Sequence, residues 1–176
     1  MKTKLIISSL FVSSVFISAA HAYDGQIKFT GKITQTACKI DSNSLNQTVN
    51  MGTISSSSLD KAGKVSSPTS FSITLTDCPS EYKQAQVKFD GQPDINNKGL
   101  LALSNSTTSP SAKGVAIALF EDDSNTLIPL AQSSRSQKLS GQKTEQLNFI
   151  AKYIATTDQV EPGSGDSVAN FTITYN

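Results

Sequence analysis

Two runs of alternating residues, one near each end, most constrain what this chain can fold into. The first is Tyr23-Asp-Gly25-Gln-Ile27-Lys-Phe29-Thr-Gly31, apolar or small at every odd position. The second closes the sequence as Ala169-Asn-Phe171-Thr-Ile173-Thr-Tyr175-Asn176. A period of two puts one set of side chains on one face of a strand. Such a terminal strand normally pairs inside its own sheet. Two of them, at opposite ends, suggest that one copy's start can complete the sheet that another copy's end leaves open.

The sequence between them is all-β. The stretch from Ile33 to Ile40 reads as a strand carrying Cys38, and Ser70 to Cys78 alternates up to the second cysteine. Gln86 to Gly91, Gly114 to Phe120 and Glu145 to Tyr153 read as further strands, with Leu127 to Leu130 following the turn cluster Glu121 to Asn125. Polar loops occupy Ser55 to Ser58, Ser104 to Ser111 and Thr157 to Gly165. Short strands at this spacing, divided by Ser, Asn, Gly and Pro, indicate a β-sandwich of one domain. No internal repeat or linker composition divides it.

Export is written in the first 22 residues. Lys2 and Lys4 precede the apolar stretch from Leu5 to Ala20, which ends on Ala20-His21-Ala22. That tripartite pattern is a signal peptide, with Tyr23 the expected first mature residue. Without Lys2 and Lys4, 13 of the 15 Lys and Arg remain against 14 Asp and Glu, and the only histidine is lost. Near-neutral, dispersed charge offers no basic stripe for nucleic acid and no polybasic patch for anionic lipid.

The remaining cysteines, Cys38 and Cys78, form no CxxC pattern and are too few for zinc. In an oxidising compartment such a pair reads as a disulfide. Closing that loop stabilises the fold by about 4 kcal/mol in the chain-entropy account.

Catalytic constellations are missing. Serine nucleophiles have no histidine base. The Ser-x-x-Lys spacings at Ser58/Lys61, Ser80/Lys83 and Ser140/Lys143 lack their Ser-Asp-Asn and Lys-Thr-Gly companions, and read as chance. Glu121-Asp122-Asp123 is the one acidic cluster and, beside Ser124 and Asn125, reads as a solvated turn. No enzyme activity, cofactor or metal is expected. The sequons at Asn46, Asn105 and Asn170 are common in a Ser/Thr-rich chain.

Together, several motifs in order resemble structural subunits of chaperone–usher pili, the family of type 1 and P pilus rods. They are Gly25-x-Ile27-x-Phe29-x-Gly31, the Cys38 and Cys78 pair, and Phe71-x-Ile73-x-Leu75-x-x-Cys78. Gly114-Val115-x-Ile117-x-Leu119 and Tyr153-Ile-Ala-Thr156 follow, then Gly163, fourteenth from the end, and penultimate Tyr175. The resemblance spans essentially the whole mature chain.

What the resemblance implies is an incomplete immunoglobulin-like β-sandwich of six strands, completed by a donor strand from another chain. It divides the chain into a signal peptide (1–22), a donor-strand extension (23–36) and a pilin domain (37–176). The donor residues would be Tyr23, Gly25, Ile27, Phe29 and Gly31. The acceptor groove and chaperone-binding C-terminal strand would involve Gly163, Ala169, Phe171, Ile173, Tyr175 and Asn176. The implied partners are a periplasmic pilus chaperone, an outer-membrane usher and other pilus subunits, self or related, on a fimbrium at the bacterial surface. A host glycan or receptor is a further implied ligand of the polymer.

Physical chemistry agrees with that reading: Ile27 and Phe29 as anchors would each contribute about 1.5–3 kcal/mol on burial. Periodicity alone equally fits an ordinary first strand of a self-contained sandwich, and it is the motif order that favours donation. A secreted carbohydrate- or receptor-binding adhesin is the alternative. Tip adhesins of the family resemble two joined domains without a donor extension, unlike this chain.

Overall fold

The computed structural model describes residues 24–33, 37–105 and 109–176. The expected leader, Met1–Ala22, and the expected donor residue Tyr23 lie outside them. The chain divides into two units between Ile33 and Thr34. In the first, residues 24–33 form neither helix nor strand.

The second unit is a two-sheet antiparallel sandwich. Its strands are β1 (Lys39–Ile40), β2 (Thr69–Thr76), β3 (Gln84–Gly91), β4 (Leu101–Ala102), β5 (Val115–Glu121), β6 (Gln137–Lys138), β7 (Thr144–Ala155) and β8 (Ala169–Tyr175). One sheet has the order β1-β2-β7-β5-β4 and the other β6-β3-β8. The 12-residue β7 is the spine of the larger sheet. It pairs with β2 from Thr69↔Ala151 to Thr76↔Thr144 and with β5 from Val115↔Ala155 to Glu121↔Phe149.

Alternation explains the layers. Phe71, Ile73 and Leu75 of β2, Ile117 and Leu119 of β5, and Leu147 and Phe149 of β7 meet Ala85, Val87 and Phe89 of β3. Phe171, Ile173 and Tyr175 of β8 pack against the same core, half-buried. Strand β5 is buried along its whole length. Its outward Ala116, Ala118 and Phe120 form a second cluster with Leu100 and Ile150.

Cys38 and Cys78 are disulfide-bonded, with Cα atoms 4.1 Å apart. The bridge fastens the start of β1 to the chain just beyond β2, where Lys39 and Thr76 are in register.

Three expectations are corrected. Of the strand expected from Ile33 to Ile40, Ile33, Ala37 and Cys38 are not strand and Lys39–Ile40 form β1, with Thr34 to Thr36 outside the described residues. β1 ends where Asp41 caps a helical turn, α1 (Ser42–Leu45), accepting the Asn43 amide at 2.9 Å. Leu127 to Leu130 makes only an isolated bridge, Phe120↔Leu127, and Pro129 has no amide to extend it. The acidic triplet is not wholly solvated, because Glu121 ends β5 on its inward face and is 3 % exposed.

Candidate functional site: an open groove beside the last strand

β8 pairs with β3 from Ala85↔Tyr175 to Gly91↔Ala169 and lies at the edge of its sheet. The exchange of hydrogen bonds between Asn176 and Gln84, at 2.9 and 3.0 Å, fixes the phase of the ladder. Antiparallel alternation then turns the amides and carbonyls of Ala169, Phe171, Ile173 and Tyr175 towards the open edge. Such a row of unpaired backbone groups is a template for another strand.

Beside this edge runs a groove of about 870 Å³. Its floor is apolar: Phe71 and Ile73 of β2, Phe89 of β3, Leu101 of β4, Ile117 and Leu119 of β5. One lip is the segment from Ser44 to Gly52, and the other runs from Gly165 to Phe171. Leu45 and Val168, one on each lip, are exposed large apolar side chains. The floor therefore belongs to the sandwich core, yet faces an opening, a state that favours any occupant able to remove it from water.

The residues singled out by sequence fall in distinct places. Ala169 and Phe171 line the groove, while Ile173 and Tyr175 pack into the core further along β8. Tyr175 stacks on Tyr82, ring centroids 5.0 Å apart, and burial pushes its hydroxyl pKa up, with Tyr82 adding to the shift. Asn176 follows β8, and its carbonyl accepts the Lys83 amide at 2.9 Å as well as that of Gln84.

Gly163 lies outside both β8 and the groove lining. It passes the backbone of the neighbouring segment so closely that a Cβ would sit 2.5 Å from the Ser111 carbonyl carbon. There the Ala112 amide donates to the Ser164 carbonyl and the Ser164 amide to the Pro110 carbonyl, both at 2.9 Å. Gly163 thus lets the chain dock before it turns into the groove lip.

In the extension, Gly25, Ile27, Phe29 and Gly31 are all exposed, Ile27 by 80 % and Phe29 by 89 %.

Sequence reasoning missed the lip from Ser44 to Gly52, the floor residues Phe89 and Leu101, and Asp166. The lip has no alternation to read, and Asp166 sits in a polar loop without pattern. Tyr153 at the end of the groove donates its hydroxyl to the Gly165 carbonyl at 3.0 Å. Burial raises its pKa, and the charge of Asp166 raises it further.

A two-sheet antiparallel sandwich with an unpaired edge strand above an open apolar groove is an incomplete immunoglobulin-like domain. A family model described as "Fimbrial protein" matches residues 27–176; the chain belongs to that family and is a structural subunit of a cell-surface fimbria. It is 32 % identical to the type 1 fimbrial subunit of Salmonella typhimurium, across 99 % of this chain and 97 % of that one. A solved antigen and type I fimbria protein of Burkholderia pseudomallei is 30 % identical, with a TM-score of 0.59 over 81 % of this chain and 91 % of that chain. A subunit from the structure of a chaperone–usher pilus shares the fold, with a TM-score of 0.64 and 23 % identity over 86 % of this chain and 95 % of its own.

Proposed function

We propose that this subunit polymerises by donor-strand exchange, with residues 23–36 of one copy laid along the groove of the next copy's 37–176 domain. The observation that carries this reading is the open groove beside the free edge of β8, floored by Phe71, Phe89 and Leu119. An extended segment with apolar side chains at alternate positions supplies both things the site lacks, a paired backbone and a filled floor. Tyr23, Gly25, Ile27, Phe29 and Gly31 present one face, with Ile27 and Phe29 as the anchors. The glycines fit close passage of donor past acceptor backbone.

Before assembly the same groove needs a temporary occupant. A periplasmic chaperone lending a strand, with basic residues holding the Asn176 carboxylate, meets that need, and an outer-membrane usher is the place of exchange. The leader, Met1–Ala22, is removed on export.

The test is an unheated denaturing gel of surface-sheared material from cells expressing the intact chain or one lacking residues 23–31. A ladder that collapses to monomer on boiling, absent from the deletion, is expected. Monomer in both samples would point to a self-complete domain.

A further inference from the structure

We infer that Met51 is an oxidation site on the groove lip, and that an oxygen atom added to its sulfur closes the groove to the donor strand. The inference rests on the donor-strand reading and deepens it by naming a chemical modification of the same site. The sequence holds two methionines, and Met1 belongs to the expected leader. Cys38 and Cys78, the only cysteines, are joined in the disulfide, and the chain has no tryptophan. Past residue 22, Met51 therefore carries the one sulfur open to a mild oxidant.

Its place on the lip gives that sulfur a role in the site. The side chain is half-buried: it packs against the sandwich core and also lines the groove. The backbone around it is set locally, because Asn50 Oδ1 accepts the Gly52 amide at 2.9 Å and Gly52 adopts a φ of 69°, in the left-handed region that favours glycine. The opposite lip, Gly165 to Phe171, carries the start of β8. A strand laid along the groove between these lips covers Met51, whereas in the open groove the side chain meets solvent.

The reaction needs only a peroxide. A sulfur lone pair attacks one peroxide oxygen, the O–O bond breaks, and a sulfur–oxygen bond forms. The second oxygen leaves as water when the oxidant is hydrogen peroxide, so sulfur is oxidised and peroxide reduced. The product is a sulfoxide, polar where the thioether was apolar. In the open groove its oxygen is hydrated. Under a donor strand it loses that water, and the apolar anchors Ile27 and Phe29 offer it no hydrogen bond. Oxidation is thus tolerated by the open subunit and opposed by the occupied one, and a seated strand shields the sulfur from attack.

The test uses the full mature chain carrying Phe29→Asp, which lacks a donor anchor of its own, so that an added peptide spanning residues 23–33 fills the groove. Hydrogen peroxide is applied with and without that peptide, and mass spectrometry of the fragment containing Met51 counts the oxygen gained. Oxidation should be about ten times slower with the peptide bound, since attack then requires local opening. Peptide affinity of the oxidised chain should fall about five- to hundredfold, as burial of an unpaired polar group would cause. Methionine sulfoxide reductases acting on both epimers should restore it. Met51→Leu, added to the same chain, keeps the apolar volume without the sulfur, and should bind the peptide equally before and after peroxide.

Equal oxidation rates with and without peptide, or undiminished affinity after oxidation, would overturn the inference while leaving strand donation intact. So would a Met51→Leu chain that loses binding in peroxide, or an oxidised chain that loses its near-ultraviolet circular dichroism, because the damage then lies elsewhere or in the core. Sheared fimbriae give a check independent of the isolated subunit: Met51 oxidising as fast in them as in denaturant-unfolded chains would also overturn it. An unoxidised chain that does not bind the peptide would overturn donation, and this inference with it.

Discussion

Phe71 and Phe89 meet edge-on between the two sheets, ring centroids 6.1 Å apart, and both rings also face the open groove. Phe149 packs against each of them, at 5.7 and 5.1 Å, but is 1 % exposed and does not line the groove. One aromatic cluster thus forms core on one side and groove floor on the other, the surface that the proposed donor strand would cover. Phe149→Ala should cost about 3–5 kcal/mol of stability, the usual loss for a buried phenylalanine. Phe71→Ala, at a half-buried position, should cost the isolated subunit less but weaken polymerisation more. Chemical unfolding and ladder length on unheated gels, measured on both variants, separate the two effects. Equal ratios of stability loss to polymer loss would contradict the dual role.

In the extension the expected pattern is inverted. Ile27 and Phe29 are exposed, so replacing either with Asp removes no packing from its own chain. Unfolding midpoints of Ile27→Asp and Phe29→Asp chains should match the unsubstituted chain when each is held by the same donor peptide spanning residues 23–33. Their surface ladders should be lost, since each anchor contributes about 1.5–3 kcal/mol when buried. A normal ladder from the Phe29→Asp chain would remove that residue from the donor face.

The regions that sequence reveals are those where one physical rule acts alone. β8 occupies the alternating segment from Ala169 to Tyr175, and β5 and β7 sit where Val115 to Phe120 and Glu145 to Tyr153 alternate. The two-residue strands β4 and β6 leave no such signal, because their pairing is dictated by what the folded sheets place beside them. The lip from Ser44 to Gly52 is likewise set by tertiary position. Glu121 could have been recognised: it shares its odd parity with the inward Ile117 and Leu119, and only the acidic neighbours Asp122 and Asp123 disguised it as surface. The alternation from Tyr23 to Gly31 was legible as a pattern, but alternation alone fits an ordinary first strand equally well, so the donor role proposed for it had to come from motif order.

The bridge between Cys38 and Cys78 ties the start of β1 to the chain just after β2. Because the cross-link restricts the unfolded chain, Cys38→Ser with Cys78→Ser should lower stability by about 2–4 kcal/mol. The loss should appear in the unfolding midpoint of donor-bound subunit under non-reducing conditions, and added reductant should not deepen it. A midpoint equal to that of the unsubstituted chain would mean that β1 is held by packing and hydrogen bonds alone.

Glu121 gives the fold a specific pH signature. Its carboxylate is buried at the end of β5 and accepts the Arg135 amide at 2.6 Å. Burial pushes its pKa up; the Arg135 amide and charge oppose the shift, and Asp122 and Asp123 reinforce it. A carboxyl whose pKa is higher in the folded state than in the unfolded chain binds its proton more tightly when folded. Its stabilising contribution is complete below the unfolded value and disappears as pH rises through the folded one. Asp123, held well below the carboxylate range by the Thr126 and Asn125 amides and the Thr126 hydroxyl, stays ionised across that interval and does not blur it. Glu121→Gln keeps an acceptor for Arg135 without the ionisation. Its stability relative to the unsubstituted chain should therefore increase as pH is raised from about 4 towards neutral, and level off once Glu121 is ionised. Urea midpoints of the two donor-bound proteins, measured across that range, test this. A difference that stays constant with pH would show that the buried carboxylate titrates as it does in the unfolded chain.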